Sequence, residues 1–350
     1  MHSLYCIFVQ ESVNEQRPQK IFADVKEVEI TRAIAEEFFS VLQDRAESDV
    51  IIIGAGPAGY TAGIYCSRAR HDTLLISGLL PGGQLMNTTD VENYPGFDEG
   101  IMGPDLMLTM RKQAERMSTT IMDDVVVNVD FRAKPFKVLT GSEEYEAKAV
   151  IVCTGATPRK IGIEGEQTFS GKGVSYCATC DGAFFRNQDI AVVGGGDSCM
   201  EEATFLTKFA SKVHIIHRRD TFRASKIMQE RALNNEKIEV HWNSAVEDIK
   251  GDQKVQQIIL KDTKTGENET LEMGGVFVAI GHEPNTELFK NQLEMDENGY
   301  IIQKNNTETS VKGVFTAGDV HDHRYRQAVT AAGFGCMSAI DVDKYLTEQK

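Results

Sequence analysis

Two segments of the chain share one pattern: an unbroken apolar run that ends in glycines and passes into helical periodicity. The first is Asp49-Val-Ile-Ile-Ile-Gly-Ala-Gly-Pro-Ala-Gly59, continued as a helix through Arg70. The second is Asp189-Ile-Ala-Val-Val-Gly-Gly-Gly-Asp-Ser-Cys199, continued through Ala210. Short apolar runs bounded by glycine read as strands, and the further runs Thr73–Ile76 and Lys212–Ile216 complete two βαβ starts. Two more strand-to-glycine edges, Ala149–Gly155 and Val276–Gly281, read as crossings of the chain between two units. The pattern predicts an α/β protein with one dinucleotide-binding unit inserted in another: residues 49–158 with 284–350, and residues 159–283 as the insert.

Residues 1–48 belong to neither unit. Ile30, Ile34, Phe38, Val41 and Leu42 recur at helical spacing with acids between them, which predicts an amphipathic helix docked on the body or on a partner. Glu27–Val50 also resembles the opening of thiazole-biosynthesis flavoproteins, a likeness that stops at the first βαβ unit. The apolar patch Leu4–Val9 has no basic cluster before it and ends at Gln10 and Glu11, and no run is long enough to span a bilayer, so the expectation is a cytoplasmic protein without a membrane segment.

With 37 basic and 52 acidic residues the formal charge is −15, which speaks against nucleic acid as a partner. The seven cysteines are odd in number and scattered except for Cys177 and Cys180, the pattern of a reducing compartment with one special pair.

Chemistry concentrates in four places. Gly54, Gly56 and Gly59 have the G-x-G-x-x-G spacing that lets a pyrophosphate approach a helix N-terminus. The acid expected about 20 residues later is missing, since that strand ends at Ser77-Gly78, so the motif alone does not choose between FAD and a nicotinamide cofactor. The second turn has Gly194 and Gly196, with Cys199 as a small residue in the third position. Its next strand ends in His217-Arg218-Arg219 with Arg223 nearby, which suits a 2′-phosphate better than a free ribose. Cys177-Ala-Thr-Cys180 precedes Asp181; a redox disulfide beside an acid–base group is one reading and inert cysteines another. A structural zinc site would need more ligands than the neighbourhood offers, so no metal is expected there. Last, Thr309–Asp319 delivers an acid after Gly318 and leads to an Ala- and Gly-rich helix at Ala328–Gly335.

Together, GPAGYTA, PGGQL, ENYPG, CATCDG, GGGDS with EEA, HRR with FR, and GVFTAGDV with YRQA resemble the low-molecular-weight thioredoxin reductases, in order, over nearly everything from Asp49 onward. Cys153 and Cys199 stand where alanine is usual in that family. The resemblance implies two Rossmann-like domains of the three-layer ββα type, an FAD domain interrupted by an NADPH domain, in a homodimer. It implies FAD contacts at Gly54, Gly56, Ala58, Gly59, Gln84, Asn93, Asp319, Arg326, Gln327 and Ala328. NADPH contacts would fall on Gly194, Gly196, Asp197, Ser198, Arg218, Arg219 and Arg223. Cys177 and Cys180 would be the redox pair, with Cys180 toward the flavin and Cys177 toward the disulfide of thioredoxin or a thioredoxin-like protein, and Asp181 the acid–base. The insert would rotate at Thr154–Arg159 and Gly281–Asn285. Competing readings keep the flavin and dithiol with another electron donor or a non-thioredoxin acceptor, or make the chain a non-enzymatic redox sensor.

Overall fold

A computed structural model describes residues 47–349, so the helix expected at Ile30–Leu42 lies outside the described residues. Strand β1 (Glu47–Ile53) runs into α1 (Pro57–Arg68) and β2 (Thr73–Ile76). It starts two residues before the expected Asp49, because Glu47 and Ser48 already pair with Glu146 and Ala147. The first helix ends short of the expected Arg70, whose φ of 67° is left-handed and cannot continue a right-handed turn. Then come α2 (Gly103–Arg116), β3 (Thr120–Met122), and the antiparallel run β4 (Val126–Asp130), β5 (Phe136–Thr140) and β6 (Glu144–Val152).

After β7 (Ala156–Pro158), the second unit contains β8 (Val174–Ser175), α3 (Ala178–Asp181), β9 (Asp189–Gly194), α4 (Asp197–Leu206), β10 (Lys212–His217), α5 (Lys226–Leu233) and β11 (Ile238–Trp242). Helix α4 stops at Leu206, four residues before the expected Ala210. A meander β12 (Ser244–Gly251), β13 (Val255–Asp262) and β14 (Asn268–Glu272) leads to β15 (Gly275–Ala279). The chain returns through β16 (His282–Pro284), β17 (Val314–Thr316) and the long helix α6 (Ala328–Thr347).

The first sheet has the order β3-β2-β1-β6-β5-β4, with β17 pairing in parallel to the C-terminal half of β6. The second is the all-parallel β8-β15-β9-β10-β11. Their central strands are continuous apolar runs because both faces are covered. Val50 and Ile52 point to α1, α2 and α6, whereas Ile51 and Ile53 point to Phe136, Val138 and Phe289. In the second unit Val213 and Ile215 meet the helices, and Ile216 meets Val246, Ile249 and Ile258 of the meander. Helices thus cover one face of each parallel core, and antiparallel strands, continuous with the first sheet and separate from the second, cover the other, the three-layer arrangement that the resemblance implied. Among the described residues no helix is long and apolar enough to cross a membrane.

Candidate functional site

The first glycine turn divides its work. At Gly54 (φ +107°) a Cβ would come within 2.4 Å of the Cys153 carbonyl oxygen, and one at Gly59 would lie 1.9 Å from the Gly54 carbonyl oxygen. These two positions close strand against helix. Gly56 is different, since a Cβ there would meet nothing within 4 Å. It is the N-cap of α1, carries no side-chain cap and is followed by Pro57, so no capping side chain takes up the first-turn N–H groups. Those features fit the pyrophosphate of a dinucleotide.

The expected neighbours assemble around this turn. The loop before Gln84 crosses it, since a Cβ on Gly83 would lie 3.5 Å from Gly56 Cα, while Gln84 itself is exposed. Gly318 approaches Ala58 at 3.0 Å, measured from its would-be Cβ, and so delivers Asp319 beside α1. Desolvation pushes the Asp319 carboxyl up to about 7; the Asp322 charge adds to this and Arg326 opposes it. Such a group can donate as well as accept a hydrogen bond near neutrality, which suits a polyol chain.

The second turn is built alike. Gly196 caps α4 without a side-chain cap, and a Cβ there would meet nothing within 4 Å. Gly194 packs against Cys199, the small third-position residue, which is fully buried. A Cβ on Gly195 would stand 2.2 Å from the His217 ring. That ring lies with Nδ1 2.7 Å from the Gly194 carbonyl and Nε2 2.9 Å from the Thr221 carbonyl. The Arg223 backbone N–H donates to the Gly195 carbonyl at 2.8 Å, so the arginine loop is folded back over the turn. Arg218, Arg219 and Arg223 are exposed, and among the described residues none is ion-paired. Asp197 departs from a pure nucleotide contact: its Oδ1 accepts from the Ser225 N–H at 2.7 Å and the Ser225 hydroxyl at 2.8 Å. Ser198 is half-buried in the first turn of α4. His217 had no role in the sequence reading, although its place at the strand end before the arginines marked it.

Cys177 and Cys180 form a disulfide with Cα atoms 5.3 Å apart. Cys177 is the N-cap of the short helix α3, and its Sγ accepts the Cys180 N–H at 3.2 Å. The Asp181 carboxylate accepts from the Ser175 hydroxyl at 2.6 Å; burial nevertheless holds its pKa above the ordinary carboxylate value. Glu202 of α4 accepts the Ala178 N–H, while its Oε2 is buried without a partner. Burial pushes this carboxyl up to about 7 against the opposing Arg326 charge and the Ala178 bond.

The two units meet at the dithiol. Gln327, the N-cap of α6, donates from Nε2 toward Cys177 Sγ at 3.8 Å and accepts from Asn93 at 3.3 Å. Next to it Arg326 Nη1 lies 2.6 Å from His282 Nδ1, whose pKa burial and that guanidinium lower to about 4. Ala328 opens α6 beside them. Three other thiols are buried and held protonated by contrast: burial pushes Cys66 up to about 12 and raises Cys153 and Cys199 as well.

Two uncapped glycine turns, each at the end of a strand with parallel neighbours, with a disulfide carried on the chain between them, define a disulfide oxidoreductase that works with two dinucleotides. The sequence profile of the family described as "Pyridine nucleotide-disulphide oxidoreductase" matches residues 48–335. The chain is 56% identical over 302 residues to the thioredoxin reductase of Streptomyces clavuligerus, covering 85% of this chain and 94% of that one. The Streptococcus pyogenes thioredoxin reductase structure superposes with a TM-score of 0.84 at 43% identity, covering 87% of this chain and 99% of that one. The Lactococcus lactis thioredoxin reductase in its FR conformation has the same 43% identity but a TM-score of 0.59, over 86% of this chain and 99% of that one. The chain belongs to the pyridine nucleotide-disulphide oxidoreductase family, among its low-molecular-weight thioredoxin reductases. FAD and NADPH are the cofactors that this membership brings.

Proposed function

We infer that the chain carries reducing equivalents from NADPH through FAD and the Cys177–Cys180 pair to the disulfide of thioredoxin or a thioredoxin-like protein. The observation that carries this reading is the disulfide at the start of α3, touched by Gln327 from the other unit. Gly54, Gly56, Ala58, Gly59, Gln84, Asn93, Asp319, Arg326, Gln327 and Ala328 hold FAD. Gly194, Gly196, Asp197, Ser198, Arg218, Arg219 and Arg223 hold NADPH. FAD, when bound, supplies a two-electron relay between the nicotinamide and the dithiol. The chain's residues do the rest. Cys180 receives the electrons, and the N–H bond from Cys180 to Cys177 Sγ stabilises a thiolate at Cys177, the attacking sulfur. Asp181, seated by Ser175 and raised by burial, holds the proton that the departing thiolate takes up. Over one cycle NADPH and a proton reduce the acceptor disulfide to two thiols.

Because the dithiol faces Gln327 here and a protein acceptor later, residues 159–283 rotate against 49–158 with 284–350. The antiparallel pair β7/β16 (Ala156–Pro158 with His282–Pro284) is the only pairing between strands leaving and re-entering at that boundary among the described residues, which supports hinges at Thr154–Arg159 and Gly281–Asn285. The gap between TM-scores of 0.84 and 0.59 at equal identity supports it too.

The functional unit is a homodimer. Helix α6 exposes Val329, Met337 and Ile340, with Tyr65 of α1 adding to the apolar face. A reducing cytoplasm fits the buried free thiols Cys66, Cys153 and Cys199. The test is NADPH oxidation with thioredoxins from the same organism, with stopped-flow bleaching of the flavin followed by thiol release. Flavin bleaching without thiol release identifies a sensor, and no bleaching by NADPH identifies another donor. Light scattering of Ile340→Asp against the parent protein reads the dimer.

A further inference from the structure

We propose that His214, Glu239 and His241 form a binding site for a borderline divalent cation, with Zn2+ as its occupant. The site is independent of the dithiol chemistry. Strands β10 and β11 pair in parallel with His214 opposite Glu239 and Ile216 opposite His241. Side chains alternate across a strand, so His214, Glu239 and His241 share one face. Their neighbours Val213, Ile215, Ile238 and Val240 pack on the other, helical face. No contiguous motif announces the site, because its ligands lie on two strands 25 residues apart at His214 and Glu239.

The geometry is close to what a tetrahedral zinc requires. Ligands about 2.0–2.1 Å from the metal stand about 3.3 Å from one another. His214 Nδ1 lies 3.0 Å from His241 Nε2, and Glu239 Oε1 lies 3.8 Å from that same nitrogen. All three ligand atoms fall within 4.8 Å of one another. Lys212 holds the second oxygen of Glu239, which leaves Oε1 turned toward the imidazoles. His214 is buried, whereas Glu239 is 45% exposed, so the site opens on one side and a water can complete the coordination. Two imidazoles and one carboxylate suit Zn2+ or Co2+ rather than Mg2+ or Ca2+. A hydrogen bond between two neutral imidazoles would use the same nitrogens. The two readings part on whether a cation displaces the shared proton.

The experiment titrates the FAD-loaded, oxidised enzyme with Co2+ and with Zn2+, following visible Co2+ absorption and binding heat. Oxidation keeps Cys177 and Cys180 as a disulfide, so neither offers a thiolate ligand. The expected result is a tetrahedral Co2+ spectrum that Zn2+ displaces and excess Mg2+ does not. His241→Ala and Glu239→Gln should each weaken binding at least tenfold, with flavin absorbance and metal-free Tm reporting that the variants fold. His241→Gln keeps the bulk of the side chain if alanine unfolds the sheet edge. Zn2+ should raise the Tm of the parent protein, by tying edge strand β11 to β10, and leave that of His241→Gln unchanged. A parent protein without the Co2+ spectrum overturns the proposal, as does parent-like affinity in the His241 and Glu239 variants.

Discussion

Replacing Arg218 and Arg219 together by alanine removes two guanidinium groups from a loop whose backbone stays anchored through Arg223 N–H to the Gly195 carbonyl. Both side chains are exposed, so binding NADPH requires no internal ion pair among the described residues to be broken, but solvent screens what they gain. A hydrogen bond to a charged group contributes roughly 1.5–3 kcal/mol, and exposure places each of these at the lower end. Two such bonds amount to about 3 kcal/mol, and ~1.4 kcal/mol is a tenfold change in affinity, so the loss is about a hundredfold. The Michaelis constant for NADPH should rise by that factor in steady-state assays, while that for NADH, which has no 2′-phosphate, stays nearly unchanged. In the parent enzyme the preference for NADPH should shrink as salt is added. A parallel rise for NADH would mean that the substitutions damage the turn itself. Equal use of NADH and NADPH by the parent enzyme would refute the assignment.

Cys177→Ser and Cys180→Ser should each abolish thioredoxin reduction while NADPH still bleaches the flavin in stopped flow; turnover by either variant at the parent rate would remove the pair from the mechanism. Gly195→Ala drives a methyl to 2.2 Å from the His217 ring, an overpacking cost of about 1–3 kcal/mol visible as a lower Tm. Gly196→Ala meets nothing within 4 Å and should leave Tm unchanged while weakening NADPH binding; equal Tm losses in both variants would show that the open space is not there. Glu202 has a folded-state pKa of about 7 against an ordinary value of 4.5, so between those pH values the folded protein holds the extra proton and stability falls as pH rises. Glu202→Gln should flatten the decline in Tm between pH 5 and about 7, and an unchanged slope would count against the buried carboxyl.

Much of the site was legible because its chemistry is local in sequence. Gly54, Gly56 and Gly59 must be close in the chain to make one turn, and Cys177 and Cys180 are separated by a single helical turn. The arginines follow directly from the strand that carries them. The ends of elements were less legible. Whether α1 stops at Arg68 or Arg70 depends on one left-handed residue that periodicity does not encode.

The two glycine turns, the Cys177–Cys180 pair, the arginines after the second strand and the likeness that joins them could be read from the chain alone, since each needs only neighbours a few residues away. The tertiary structure alone decided which groups from distant segments meet. Gln327 reaches Cys177 across 150 positions and Asn93 across 234. His217 turns out to wedge against Gly195, and His214 meets Glu239 and His241 only because parallel pairing sets their register. The raised carboxyls of Asp181, Glu202 and Asp319 belong to that second group as well. Their shifts come from desolvation, and water is excluded from a carboxyl only by chain that arrives from elsewhere in the fold.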